Sequence, residues 1–148
     1  YSLYNLYRFA HYYEEAYGKY IWLKSGASLV IEHTEAMTVI DVNTGSVLKK
    51  KRQEDTLFYQ INREAAKEIA RQIRLRNISG IIMIDFINMK DEKQKEKLLL
   101  LLENECRKDR IHCNVVDMTA LNLVEMTRSK VRRPLLEQIT VCRKMQKN

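Results

Sequence analysis

The sequence predicts a mixed α/β domain, an α+β arrangement in which helices pack on a sheet of mixed strand directions. Three observations predict it. Short alternating apolar and polar runs before residue 43 read as antiparallel strands. A helix, a glycine turn and a continuous apolar strand then follow one another between Asn62 and Asp85. Finally, 148 residues with 45% hydrophobic content are enough for one core.

Each element has its own signal. From Tyr4 to Tyr17, Leu6, Phe9, Tyr13 and Tyr17 recur near helical spacing, and Gly18 closes the expected helix. Its tyrosines read as a packing face, with base stacking as the alternative. Tyr20 to Lys24, Leu29 to His33 and Met37 to Val42 alternate, and Ser25-Gly26-Ala27 and Thr34-Glu35-Ala36 separate them as tight turns, so an antiparallel meander is predicted. Gly45 opens a basic loop, Lys49-Lys50-Lys51-Arg52, readable either as solvated surface or as phosphate contact.

Asn62 is the expected cap of an amphipathic helix whose stripe is Ala65, Ala66, Ile69, Ala70 and Ile73. A turn at Ser79-Gly80 leads into the strand Ile81 to Asp85, predicted to be buried on both faces. A second helix should run from about Asp91 to Arg107, with Leu98 to Leu102 inward. The strands Asn114 to Met118 and Leu121 to Met126 would then form a hairpin, followed by a basic tail that contains Pro134, the single proline.

Lys and Arg number 26 against 19 Asp and Glu, a net charge of +7, so a polyanion is one reasonable partner. Cys106, Cys113 and Cys142 make an odd count without metal-ligand spacing, which favours a reducing, cytoplasmic setting over a disulfide scaffold or zinc site. The run Leu98 to Leu102 is too short to span a bilayer, and no membrane partner is expected. The chain begins at Tyr1 and reads as a piece of something longer.

The chemistry concentrates in Asp41, Asn43 and Asp85. Each acid ends a run of strand character, and Asp41 and Asn43, two apart, share a strand face. If their strands are neighbours, two carboxylates and a carboxamide converge at one sheet edge. Such hard oxygen ligands suit Mg²⁺, or alternatively Mn²⁺. An Asp at a strand end can equally be turn chemistry, as Asn43-Thr44-Gly45 shows.

Five blocks then occur in order: Trp22 to Gly26, Thr34 to Gly45, Glu64 to Asn77, Gly80 to Ile87 and Leu123 to Arg128. Together they closely resemble the catalytic core of the ribonuclease E/ribonuclease G family, over roughly Gly18 to Arg133. The resemblance implies a deoxyribonuclease-I-like catalytic subdomain over residues 18–133. Residues 1–17 would be the closing helix of a ribonuclease-H-like subdomain, and residues 134–148 a basic tail. The family's metal-binding aspartates fall on Asp41 and Asp85, and its active-site asparagine on Asn43. The implied activity is Mg²⁺-dependent hydrolysis of single-stranded RNA in RNA processing and decay, leaving 5′-phosphate and 3′-hydroxyl ends.

Arg110, His112, Arg128, Lys50 and Lys51 are the RNA-contact candidates, with Arg71, Arg74 and Arg76 as weaker ones. Three departures from the family pattern stand out. Asn88 replaces a second acid beyond the apolar strand, and His112 stands where many members carry Arg. Cys142 remains alone where relatives carry a two-cysteine zinc link, so no bound zinc is expected and a homo-oligomer is left open. The resemblance also implies an OB-fold RNA-binding domain and a pocket for the RNA 5′-monophosphate further upstream in full-length members; neither is in this sequence, so reduced or absent activity in isolation is one expectation. A non-cleaving RNA-binding or assembly module that keeps the fold is the alternative reading.

Overall fold

The computed structural model describes residues 3–6, 12, 16–45, 54–138 and 140. A short helix α1 (Leu3–Leu6) is followed by strands β1 (Tyr20–Trp22), β2 (Ser28–His33) and β3 (Met37–Asn43). Next come helix α2 (Glu54–Leu75), strand β4 (Gly80–Asp85), helix α3 (Glu92–Cys106) and strands β5 (Cys113–Met118) and β6 (Leu123–Arg128). The six strands form one sheet in the order β1-β2-β3-β4-β6-β5. Only β3 and β4 run parallel, and α2 is the crossover between them; every other pairing is antiparallel. A mixed sheet with helices packed on it is the fold class the sequence predicts.

Strand alternation sorts the side chains into two faces. On the inner face Ile21, Leu29, Ile31, Ile40, Val42, Ile82, Ile84, Val124 and Met126 are buried. Against them lie Ile61, Ala65, Ala66, Ile69, Ala70 and Ile73 of α2, together with Leu98 and Leu102 of α3. The predicted stripe of α2 is therefore its packed side. Within the Leu98–Leu102 run only the i, i+4 pair is fully buried, while Leu100 points outward at 57% exposure. The Asp91 carboxylate caps α3, accepting from Lys93 N at 2.9 Å.

Three boundaries differ from expectation for local reasons. Strand β1 stops at Trp22 because Leu23 already donates to the Ala27 carbonyl in the turn. Strand β6 starts at Leu123 because Asn122 takes a left-handed φ of 61°, while the Thr119 hydroxyl accepts from Leu121 N and Leu123 N. Helix α2 starts well before Asn62, so that residue is not its cap. Asn62 lies two turns inside, fully buried, and exchanges two hydrogen bonds with Ile87: Nδ2 to the Ile87 carbonyl at 2.7 Å and Ile87 N to Oδ1 at 3.0 Å.

Strand β4 is not buried on both faces. Its inner residues Ile82 and Ile84 are sealed, but Ile81 on the outer face is 47% exposed. Both long helices lie on the inner side, since they pack against each other and against the same buried strand residues. More than half of the expected helix over Tyr4 to Tyr17 lies outside the described residues, as do the basic loop with Lys50 and Lys51 and Cys142.

Asn62 ties the crossover helix to the chain just beyond β4, so its loss should be felt by the whole domain. Asn62→Ala leaves a buried N–H and carbonyl of Ile87 without partners and should cost about 1–3 kcal/mol in a urea denaturation curve.

Candidate active site

Parallel pairing of β3 with β4 puts Asp41 directly opposite Asp85. Adjacent strands lie about 4.8 Å apart, so two carboxylates that are distant in sequence stand side by side. Both project from the outer face at the carboxyl ends of their strands, the edge where open α/β sheets place their ligands. Asn43 is two residues beyond Asp41 on that face, and its Nδ2 donates to Asp41 Oδ2 at 2.8 Å. The three residues selected from the sequence are thus brought together.

The electrostatics of the pair are those of an unneutralised acidic site. Among the described residues neither carboxylate takes part in an ion pair. Partial desolvation, and then the Asp41 charge, push the Asp85 carboxyl above its ordinary value. No cluster of three or more His, Cys, Asp or Glu side chains gathers among the described residues. The donor set at this edge is therefore two carboxylates and a carboxamide. That set fits Mg²⁺, which takes one or two protein carboxylates and fills its remaining positions with water and phosphate oxygens.

Two further contacts hold the edge in place. Glu64 of α2 accepts from Lys24 N at 2.7 Å and from Ser25 N at 3.3 Å, anchoring the β1–β2 turn. Gly45 (φ +57°) packs its α-carbon so close to that turn that a β-carbon would sit 2.6 Å from the Gly26 carbonyl oxygen. The exit of β3 is thereby pressed onto a turn that α2 grips, and the exit of β4 is bound to α2 through Asn62. Neither Asn62 nor Glu64 was singled out from the sequence for this positioning, because both partners lie 25 or more residues away.

The cationic candidates separate. Arg128 is not a free RNA contact. It is 4% exposed and directed inward; Nε donates to Asp109 Oδ2 at 2.9 Å, and Nη1 donates to Asn77 Oδ1 and the Ile78 carbonyl, each at 2.9 Å. It also pairs with Gly80, at the opposite end of β4 from Asp85, about 16 Å along the strand. Burial acts to raise the Asp109 carboxyl, but the hydrogen bond and charge of Arg128 outweigh it and hold the group below its ordinary value. Arg110 and His112 are exposed at that same far end, and Arg110 borders an open hollow with Arg74, Lys108 and Arg132. Arg76 is buried against Gln72, Arg71 pairs with Glu68, and Arg74 donates to the Glu105 carbonyl.

Comparison with known proteins gives this arrangement its family. A model of the ribonuclease E/G family matches residues 1–131, nearly the whole chain. The chain belongs to the ribonuclease E/G family. It is 45% identical to ribonuclease G of Escherichia coli K12 over 122 residues, covering 82% of this chain and 25% of that protein. It is 46% identical to ribonuclease G of Haemophilus influenzae over 122 residues, with the same coverage. Similarity to ribonuclease E of a Nostoc species is 42% over 115 residues, covering 78% of this chain and 17% of that protein. The chain thus spans a quarter or less of the length of these ribonuclease E/G relatives. No helix among the described residues is long and apolar enough to cross a membrane.

Two measurements check these electrostatics. The raised Asp85 value means that folding favours its protonated form. This contribution is stabilising below the ordinary carboxylate range and is lost as pH rises through the raised value. In metal-free protein at neutral pH, Asp85→Asn should therefore raise the urea midpoint, and the gain should vanish below about pH 4. Arg128→Ala leaves the Asp109 carboxylate without its counter-ion, with only the Ile111 N and Cys113 Sγ hydrogen bonds remaining, and should lower stability by about 3 kcal/mol in the same assay.

Proposed function

We propose that this chain is the catalytic core of an endoribonuclease that hydrolyses single-stranded RNA with Mg²⁺, or Mn²⁺ in its place, held by Asp41 and Asp85. The observation that carries this reading is the in-register acidic pair at the carboxyl ends of the parallel strands β3 and β4, without an ion-pair partner among the described residues. Family membership supplies the substrate class, since the relatives are named ribonucleases. On this reading residues 18–133 are the deoxyribonuclease-I-like catalytic part, working in the cytoplasm in RNA processing and decay. Residues 1–17 close a ribonuclease-H-like part.

Asp41 and Asp85 would hold the Mg²⁺, which would supply Lewis-acid chemistry, activation of water and neutralisation of charge on the scissile phosphate. The chain's own groups do the rest. The Asn43 amide fixes the Asp41 carboxylate through one N–H, which leaves its second N–H and its carbonyl free to orient the attacking water or a phosphate oxygen. Attack by water in line with the leaving 3′-oxygen gives 5′-phosphate and 3′-hydroxyl ends without recruiting the ribose 2′-hydroxyl. Arg110 and His112 would meet backbone phosphates several nucleotides from the cut, because they lie at the far end of the sheet. Lys50 and Lys51 follow β3 in sequence, and in this reading they are further phosphate contacts.

The test is cleavage of a 5′-phosphorylated single-stranded RNA by the 148-residue chain with Mg²⁺ or with EDTA. EDTA should stop the reaction, and Asp41→Ala should slow it roughly a thousandfold, the scale of several kcal/mol of charge stabilisation. Asn43→Ala, which removes a supporting hydrogen bond, should cost roughly 10- to 100-fold. RNA binding without cleavage, unchanged by Asp41→Ala and repeated in the full-length protein, would instead establish the non-cleaving module.

A further inference from the structure

The outer face that carries Asp41 and Asp85 also carries an aromatic side chain that the fold does not use. Trp22 is 73% exposed at the end of the edge strand β1. Its register runs through Ser28 to Asn43, so Trp22, Ser28 and Asn43 lie in one row across three strands on one face. The indole base is therefore about 10 Å from the backbone of Asn43, two strand spacings away. One row further along, Tyr20, Val30, Asp41, Asp85 and Leu123 are aligned in the same way. Tyr20 is itself 61% exposed, but Lys19 lies over its ring at 5.8 Å and pairs with Glu32, so that ring already has a cation on it. No cation or aromatic ring is stacked on Trp22 among the described residues.

Full burial of a large apolar side chain is worth about 1.5–3 kcal/mol, and this fold leaves that gain untaken at its largest side chain. What can occupy an indole beside a phosphodiester-binding edge is set by chemistry. Every nucleobase offers a flat π-face to an aromatic ring, whatever its sequence. A strand whose phosphate docks at Asp41 and Asp85 must place its neighbouring bases on the same open face, because both long helices fill the other. The net charge of +7 favours such a polyanion over an acidic-pair repulsion alone.

The geometry points to Trp22 as a stacking platform for a base of single-stranded RNA next to the scissile phosphate. It orients the strand so that the phosphate reaches the acidic pair. This inference rests on the nuclease reading of the preceding section and adds a binding residue to it. Because stacking does not discriminate among bases, Trp22 confers a requirement for unpaired bases rather than a sequence preference. A base already stacked inside a duplex cannot present its face to the ring.

Trp22 is the only tryptophan in the chain, so its own emission reports the contact. The full chain is titrated in EDTA with a dye-labelled ten-nucleotide single-stranded RNA, and both tryptophan emission and dye anisotropy are followed. Saturable quenching of Trp22 should track the anisotropy change. Trp22→Ala should weaken binding roughly tenfold, within the range measured for base–aromatic stacking, while Trp22→Phe stays within about threefold of the parent. An abasic strand of the same length should bind the parent and Trp22→Ala alike, which separates stacking from a loss of structure.

The inference is overturned by RNA binding without quenching, or by Trp22→Ala that binds the RNA as the parent does. A tryptophan shift that depends on protein concentration without RNA would assign the face to a second copy and overturn it as well. Failure of the two readings is distinguishable. Quenching without Mg²⁺-dependent cleavage removes the nuclease and keeps the stacking site. Cleavage abolished by Asp41→Ala, with Trp22→Ala binding unchanged, removes only the stacking site. No binding of RNA with or without Mg²⁺, and no cleavage, removes both.

Discussion

Two like charges held side by side are the constraint around which this domain is organised. Partial desolvation first, and then the charge of Asp41 beside it, push the Asp85 carboxyl above its ordinary value. A fold selected for stability alone would separate them or place a basic side chain between them. This one does neither. It sets them on adjacent parallel strands, where register fixes their spacing, and it directs the buried Arg128 onto Asp109 at the other end of the sheet. Strain of this local kind, kept in place by a rigid surround, is a mark of a binding site.

Helix α2 provides much of that surround. As the crossover between β3 and β4 it makes those two strands parallel, and only parallel pairing puts both carboxyl ends, and so both acids, at one edge. It then reaches the edge itself twice, through Glu64 to the β1–β2 turn and through Asn62 to Ile87. The turn gripped by Glu64 is the one against which Gly45 packs. Apolar burial along Ile61, Ala65, Ile69 and Ile73 fixes where the helix lies, and its polar residues transmit that position to the strand ends. Sequence, packing and site geometry are therefore linked through one element.

The acids and Asn43 were legible in the amino-acid order because their signals are local: apolar runs that end in a carboxylate, and a spacing of two on a strand. The meander and the helix–turn–strand unit were legible for the same reason, since period-2 and period-3.6 patterns need no knowledge of distant partners. What could not be read depended on contacts across the chain. Asn62 has the residue type of a cap, and nothing nearby in sequence reveals that its amide is bonded to Ile87. Arg128 belongs to a basic stretch that reads as surface, yet alternation along β6 turns it inward onto Asp109. The Ile81 to Asp85 run has the apolar continuity of a strand buried on two sides, but both long helices lie on one side only, and Ile81 is left open. The outer-face row of Trp22, Ser28 and Asn43 needed the register of three strands, which no single segment contains.

The most direct measurement of the central claim is a crystal structure of this chain grown with Mn²⁺ and recorded at a wavelength where manganese scatters anomalously. One anomalous peak is expected between Asp41 and Asp85, within coordination distance of a carboxylate oxygen from each, with the Asn43 amide still bonded to Asp41. A peak elsewhere, or carboxylates that turn away from each other with no ion between them at saturating Mn²⁺, would contradict it.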